Sequence, residues 1–253
     1  MAINVRDCAL LDFCNEQKFM TLDQMAGMFF PGNERVFNWP MKCVRKLVND
    51  KLLFVEKPGF CKPALYRVTS KGAALLRKWG IGHGLGAIEK IDTRCWEHDI
   101  WVTDVRIIFF RKLGLKRWKA ERLLKQDREG KVPDGIVPFG DTDLIIEVER
   151  TLKKKEYYEK ALLNTCAKQF RDGEIILYIA ADATDKRWLM KQAGGWVRIY
   201  FATIADLKEM KDSVTFVNAE GKKFTLHRKE DYLHDRSDER FGPNEDEITG
   251  TDV

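Results

Sequence analysis

The stretch VPDGIVPFGDTDLIIEVERTLKKK, residues 132–155, sets two apolar, β-branched runs on either side of a Gly-Asp turn. This pattern predicts a hairpin of the strands VPDGIVPF and DLIIEVER, turning at Gly140 and Asp141. Asp134, Glu147 and Glu149 lie within these runs, just before a series of lysines. Because a carboxylate in an apolar run loses hydration energy, these acids either lie at strand ends in water or hold a cation.

The second alternative places a metal beside the hairpin. Pairing of the two strands brings Asp134 and Glu147 to the same end of a sheet, and Glu121, in a strand predicted over RWKAERLL, joins them. Three carboxylates form a hard-oxygen site suited to Mg²⁺ or Mn²⁺. Such a metal activates water and stabilises charge on a phosphodiester, so the pattern favours phosphodiester cleavage.

The chain around the hairpin alternates between helical and strand patterns. A long helix over DTRCWEHDIWVTDVRIIFFRKLG precedes it, with His98 and Asp99 early enough to face the acidic end of the sheet. A helix over about 153–170 follows, then strands in EIILYIAA and WVRIYFAT, short helices near 185–190 and in IADLKEM, and a hairpin in SVTFVNAEGKKFTL. This order predicts a mixed sheet with flanking helices, an α/β fold (α+β for the whole chain).

Residues 6–80 have the pattern of a winged helix-turn-helix. Three helices are followed by a hairpin of LLFVEK and ALYRVT and by a last helix in SKGAALLRKWG. The third helix, roughly 34–50, is predicted to bury Val36, Trp39, Val44 and Leu47. Basic residues on its other faces, on the wing and on the last helix are predicted DNA contacts: Lys42, Arg45, Lys46, Lys51, Arg67 and Lys71. The alternative for this domain is a protein–protein module.

Composition divides the chain into three parts. The glycine-rich GIGHGLG, residues 80–86, reads as a linker, so a winged-helix domain is predicted over 1–80 and an α/β domain over 81–229. The stretch 230–253 has nine acidic residues and two arginines, and reads as a disordered acidic tail. The whole chain carries +5, which leaves +12 for the body without the tail. A basic body favours a polyanionic partner such as nucleic acid.

The expected compartment is the cytoplasm. Six scattered cysteines without a C-x-x-C pair favour reduced thiols rather than disulfides or a zinc site. No apolar run approaches the length of a membrane span, and the N-terminus lacks the features of a secretion signal.

The motifs also carry a resemblance. Pro133 and Asp134, followed by Glu147-x-Glu149 in a strand, resemble the PD-(D/E)xK nuclease superfamily. Together with the winged-helix pattern, the motifs W-x-x-E (118–121), PDG (133–135) and EVERT (147–151) resemble the plasmid replication-relaxation family, within it the MobC-type relaxases. The resemblance implies a metal-dependent nickase acting on double-stranded and single-stranded DNA at a plasmid or mobile-element transfer origin. It also implies relaxosome accessory or coupling proteins as partners.

One position departs from that superfamily. The last residue of (D/E)xK is usually lysine, but here it is Glu149, and a carboxylate cannot supply the positive charge. Lys153 or Arg150 is the predicted substitute, so the expected catalytic set is Glu121, Asp134, Glu147, Glu149 and Lys153. The alternative is a degenerate nuclease domain in a non-catalytic DNA-binding accessory protein or transcriptional regulator.

Overall fold

The computed structural model describes residues 3–30, 38–59, 61–128, 132–153, 156, 158 and 174–228. The chain is a mixed α and β protein that divides into two compact units, the first within residues 1–93 and the second within 94–230. The predicted linker at 80–86 precedes this division. Most of the helix predicted over 153–170, and the predicted tail from residue 230, lie outside the described residues.

The first unit packs helices against a small antiparallel sheet. Its elements are α1 (Val5–Glu16), β1 (Met20–Thr21), α2 (Leu22–Phe29), α3 (Asn38–Asn49), β2 (Leu53–Glu56), β3 (Leu65–Val68) and α4 (Ser70–Lys78). The strands lie in the order β1-β3-β2, with both pairs antiparallel, so the predicted LLFVEK–ALYRVT hairpin is confirmed. Side chains of Asn4, Thr21 and Thr69 cap α1, α2 and α4 by accepting a hydrogen bond from a backbone N–H of the first turn.

Helix α3 presents a different face to the core from the one predicted. Its buried residues are Pro40, Val44 and Leu47, at i, i+4 and i+7. The predicted burial of Trp39 is wrong, because Pro40 occupies the inward position and leaves Trp39 48% exposed. The Trp39 ring packs edge-on against Phe30, with centroids 5.4 Å apart. Val36 lies outside the described residues.

The second unit is built on a seven-stranded mixed sheet. Its elements are α5 (Trp96–Arg111), β4 (Lys119–Ala120), α6 (Glu121–Asp127), β5 (Gly135–Phe139), β6 (Thr142–Glu149), β7 (Ile175–Ala180), α7 (Ala183–Gln192), β8 (Ile199–Thr203), α8 (Ile204–Glu209), β9 (Ser213–Asn218) and β10 (Lys223–His227). The strand order is β10-β9-β8-β7-β6-β5-β4. Strands β6, β7 and β8 pair in parallel and the other neighbours pair antiparallel, which confirms the predicted mixed sheet.

Alternation along β6 gives the sheet two buried faces. Leu144, Ile146 and Val148 join one apolar cluster, which includes Val105 and Phe109 of α5. Ile145 joins a second cluster with Tyr158 of the opposite face. Because successive side chains of a strand point to opposite faces, the carboxylates of Glu147 and Glu149 lie on the face of Ile145.

The segment before the hairpin corrects one predicted strand. Only Lys119–Ala120 of RWKAERLL is a strand, and helix α6 begins at Glu121. The physical reason is that Leu124 buries into the second apolar cluster while Glu121 and Lys125 pair across one helical turn. Glu121 is therefore the first residue of a helix rather than part of a strand.

Among the described residues, no helix combines the length and the apolar composition that crossing a membrane requires.

Candidate functional site

One cavity of the second unit brings together all five predicted catalytic residues. We call it the strand-end cavity; it has a volume of about 290 Å³. Its lining consists of His98, Glu121, Lys125, Val132, Asp134, Glu147, Val148, Glu149 and Lys153. The sequence motifs therefore meet in space, although they come from a helix start, a bend and a strand.

The register of the sheet explains why three of the acids meet. Gly135 of β5 lies opposite Ala120 of β4 on one side and opposite Ile146 of β6 on the other. Glu121, Asp134 and Glu147 are each the next residue beyond that shared row. Since neighbouring strands lie about 4.8 Å apart, the three carboxylates reach into one cavity.

Gly135 of the PDG motif is required by packing. A Cβ atom at this position would lie 2.2 Å from Cζ2 of Trp118, whose ring is buried against the strand. Trp118 also packs edge-on against Phe109 of α5, with ring centroids 5.8 Å apart. The W-x-x-E and PDG motifs are thus in direct contact, and the contact positions Asp134 at the mouth of the hairpin.

Both carboxylate oxygens of Asp134 have partners. The backbone N–H of Val148 donates to Oδ2 at 2.7 Å. His98, in the first turn of α5, approaches Oδ1 with Nε2 at 2.9 Å. The Asp134 side chain is 13% exposed, and its two hydrogen bonds hold it from two separate elements, β6 and α5. Asp99, the other candidate of this turn, is buried and does not line the cavity.

Two lysines each pair with one carboxylate of the cavity. Nζ of Lys153 donates to Oε2 of Glu149 at 3.2 Å, and Nζ of Lys125 donates to Oε1 of Glu121 at 2.5 Å. Glu149 is buried, and a buried carboxylate needs such a partner. Arg150 instead pairs with Glu97 at 2.6 Å and does not line the cavity. Of the two cations predicted to replace the missing lysine, Lys153 is therefore the one at the cavity.

The donor set fits a hard divalent cation. Four carboxylates and two lysines line the cavity, so negative charge is in excess, and the oxygen donors are of the type that Mg²⁺ and Mn²⁺ prefer. The carboxylates are spread around the cavity rather than clustered. In the described part of the chain, the group of three acidic or histidine donors whose ligand atoms all lie within 4.8 Å is Asp12, Glu16 and His83 of the first unit, which we call the α1 cluster.

The predicted DNA contacts of the first unit fall into two groups. Lys42, Arg45, Lys46 and Lys51 are exposed, and Lys46 pairs with Asp7 at 3.5 Å. Arg67 is engaged within its own unit, because its guanidinium donates to the carbonyl of Ile88 at 2.7 Å and lies 4.4 Å from the ring centroid of Phe54.

Lys71 is likewise engaged within the first unit. Its Nζ donates to the carbonyl of Asp50, at the end of α3, at 2.9 Å. This bond ties α4 to α3, so Lys71 already has a structural contact on the surface where a phosphate contact was predicted.

Several residues escaped prediction from the sequence. Lys125 was missed because its segment reads as a strand; read as a helix, the i, i+4 spacing from Glu121 places both side chains on one face. On α3, Asn38 and Asn49 are exposed and lie in line with the basic residues Lys42 and Arg45. The stripe Asn38, Lys42, Arg45 and Asn49, at i, i+4, i+7 and i+11, is exposed along its whole length.

Comparisons with known proteins gave no significant match to a family model, a curated protein or a solved structure. The resemblance to the plasmid replication-relaxation family therefore stays a prediction.

Proposed function

We propose that the chain is a metal-dependent DNA endonuclease, a nickase of the relaxase type. The observation that supports the proposal is the strand-end cavity, where four carboxylates from three motifs face two lysines. Hard-oxygen donors beside cations are the groups that metal-assisted phosphodiester cleavage uses. The sheet with its flanking helices is proposed to be a PD-(D/E)xK nuclease-like domain.

The cavity residues have distinct proposed roles. Glu121, Asp134 and Glu147 would hold Mg²⁺ or Mn²⁺, which when bound supplies an activated water and charge stabilisation on the phosphate. Lys153 neutralises the scissile phosphate. Glu149 orients Lys153 through their hydrogen bond and takes no cationic role itself.

The first unit is proposed to be a winged-helix domain that binds duplex DNA. Its exposed stripe on α3 carries amide and cationic side chains, the types that read adenine and guanine edges in the major groove. From Asn38 to Asn49 the stripe spans about 16 Å, roughly five base pairs. Lys46 and Lys51 flank the stripe and contact phosphates, which fix the register of the helix on the duplex.

The biological setting follows from the sequence resemblance. We propose that the protein recognises a transfer origin of a plasmid or mobile element in the cytoplasm, nicks one strand, and works with relaxosome accessory or coupling proteins. The basic body of the chain favours such a nucleic-acid partner.

A plasmid conversion assay tests the proposal. Supercoiled plasmid carrying the cognate region is incubated with wild type, Asp134→Asn and Glu147→Gln, each with Mn²⁺, with Mg²⁺ and with a chelator. We expect open circles only with wild type and metal. Conversion that persists in both variants, or in chelator, would contradict the assigned site.

The second candidate is a DNA-binding protein without hydrolytic activity, either an accessory protein or a regulator. Two observations favour it: Glu149 stands where the superfamily has lysine, and the carboxylates of the cavity do not converge on one point. In the same assay this candidate predicts no open circles under any metal condition, and in a separate gel-shift assay it predicts sequence-specific binding to the cognate region.

A further inference from the structure

We infer that His98 is a positioning residue that holds Asp134 in the orientation needed to bind the metal. The inference rests on the proposed metal site and adds to it a group from outside the hairpin. His98 contributes no ligand of its own in this assignment.

The geometry at Asp134 is a two-point clamp. A backbone N–H fixes Oδ2 from the neighbouring strand, and the imidazole of His98 fixes Oδ1 from helix α5. An ionised carboxylate only accepts hydrogen bonds, so Nε2 of His98 is the donor. With both oxygens held, the carboxylate plane cannot rotate away from the cavity.

The clamp leaves room for a cation. Each carboxylate oxygen has two lone pairs, and each clamp bond uses one. A hydrogen-bond partner that orients a ligand in this way typically changes metal affinity by 10–100-fold when it is removed. His98 lines the same cavity as Asp134, which places its ring on the wall where the metal is proposed.

A purely structural role for His98 has its own signature. Helix α5 is also tied to the end of β6 by Glu97, whose Oε2 lies 2.6 Å from a guanidinium nitrogen of Arg150. This second tie joins the same first turn of α5 to the end of β6, the strand beside β5, without contacting Asp134. Arg150→Met is therefore the matched control, because it removes a tie of the helix and leaves the clamp intact.

The test measures Mn²⁺ affinity directly, by calorimetry or electron paramagnetic resonance, in the full chain. Wild type, His98→Ala, His98→Gln, Arg150→Met and Asp134→Asn are compared, and thermal unfolding of each establishes that it is folded. We expect His98→Ala to bind Mn²⁺ 10–100-fold more weakly. His98→Gln, which retains an N–H donor, should bind within a few-fold of wild type, as should Arg150→Met.

The outcomes separate the inference from the proposed function. Equal affinities of wild type and His98→Ala, with binding lost in Asp134→Asn, would overturn the role of His98 and keep the metal site. Equal losses in His98→Ala and Arg150→Met would show that only docking of α5 matters, which also overturns it. Absence of any Asp134-dependent binding in wild type would overturn the metal site and the inference together.

Discussion

The two units each bring a histidine against carboxylates, but in different ways. In the α1 cluster, Asp12 and Glu16 lie one turn apart on a helix, and His83 approaches Glu16 with Nε2 at 3.6 Å from Oε1. In the strand-end cavity, the donors come from the start of α6, the bend before β5, strand β6 and the first turn of α5, and surround about 290 Å³. The first arrangement is compact, and the second is open.

The difference shows that the type of donor, and not only the closeness of donor atoms, bears on which cation a group of side chains suits. Two carboxylates with an imidazole suit a metal such as zinc, copper or nickel better than Mg²⁺ or Mn²⁺, whereas four carboxylates suit the harder Mg²⁺ and Mn²⁺. The cavity also has open volume and two lysines, which supply the space and the positive charge that a bound phosphate needs. We therefore expect Mg²⁺ and Mn²⁺ to bind at the cavity rather than at the α1 cluster.

The largest expected effect tests the packing of Gly135 against Trp118, next to the cavity. Gly135→Ala places a Cβ atom 2.2 Å from Trp118, so the buried ring or the strand must move. Overpacking of this kind costs about 3 kcal/mol. Thermal unfolding should show a Tm lower by about 10 °C. Gly194→Ala is the control, since its Cβ atom would meet only the carbonyl of Lys191 at 3.7 Å; an equal loss there would contradict the packing account.

The second effect compares the two sites by the same chemical change. Glu147→Gln removes a charge from the cavity, and Glu16→Gln removes one from the α1 cluster. We expect Glu147→Gln to weaken Mn²⁺ binding at least tenfold, about 1.4 kcal/mol, and Glu16→Gln to leave it within twofold. Calorimetric titration of both variants measures this. The reverse pattern would move the metal to the first unit.

A smaller effect separates exposed from engaged cations in the first unit. Arg45→Ala should weaken DNA binding about fivefold, or about 1 kcal/mol. If Arg45 contacts a phosphate rather than a base, the salt slope also drops by about 0.9. Arg67→Ala should lower the Tm instead, because it removes the bond to Ile88 and the contact with Phe54. Fluorescence anisotropy at several salt concentrations, with thermal unfolding, distinguishes the two.

The smallest effect concerns Cys8, which lies beside the α1 cluster. Burial, and then the charges of Asp7 and Asp12, raise the pKa of the Cys8 thiol from 9.0 to about 12. At pH 8.5 iodoacetamide should modify the exposed Cys95 well before Cys8, as peptide mass mapping would detect. Mn²⁺ should not change the Cys8 rate. An acceleration by Mn²⁺ would indicate a cation near Asp12.

The same thiol gives a stability prediction with a defined sign. The native state keeps the Cys8 proton up to about pH 12, whereas the unfolded chain loses it near pH 9.0. Between pH 9 and 12 the unfolded state therefore binds fewer protons than the native state. The free energy of unfolding falls across this window, because the stabilising contribution of the Cys8 thiol is lost as pH rises. Cys8→Ala should flatten that alkaline decline in a pH series of denaturant unfolding.

The hairpin and its acids could be predicted because their signals are local. Pro-Asp-Gly, the Gly-Asp turn and the β-branched run of β6 determine a strand pair by themselves, and Asp134 and Glu147 follow from the register. The strand predicted at RWKAERLL was wrong because Leu123 and Leu124 fit both the helical and the strand spacing of apolar residues. Burial of Leu124 in the second apolar cluster favours the helix.

The partner of Asp134 could not be derived in the same way. His98 is a residue of α5, and the angle at which that helix crosses the sheet depends on packing of Val105 and Phe109 with residues of β6. Nothing in the spacing between His98 and Asp134 encodes a distance of 2.9 Å. The predicted burial of Trp39 was wrong for a related reason. Of the two adjacent residues Trp39 and Pro40, Pro40 faces the core, and the spacing of apolar residues alone does not decide between them.

The row formed by Ala120, Gly135 and Ile146 also has an evolutionary consequence. The side chains of Glu121 and Glu147 lie one residue beyond this row, outside the two apolar clusters that pack against the sheet. Under the proposed function, exchanging Glu121 or Glu147 for a neutral residue would weaken metal binding without removing an apolar core side chain. Under that proposal, a lineage with this fold could lose hydrolysis, keep DNA binding and regain hydrolysis later by single substitutions.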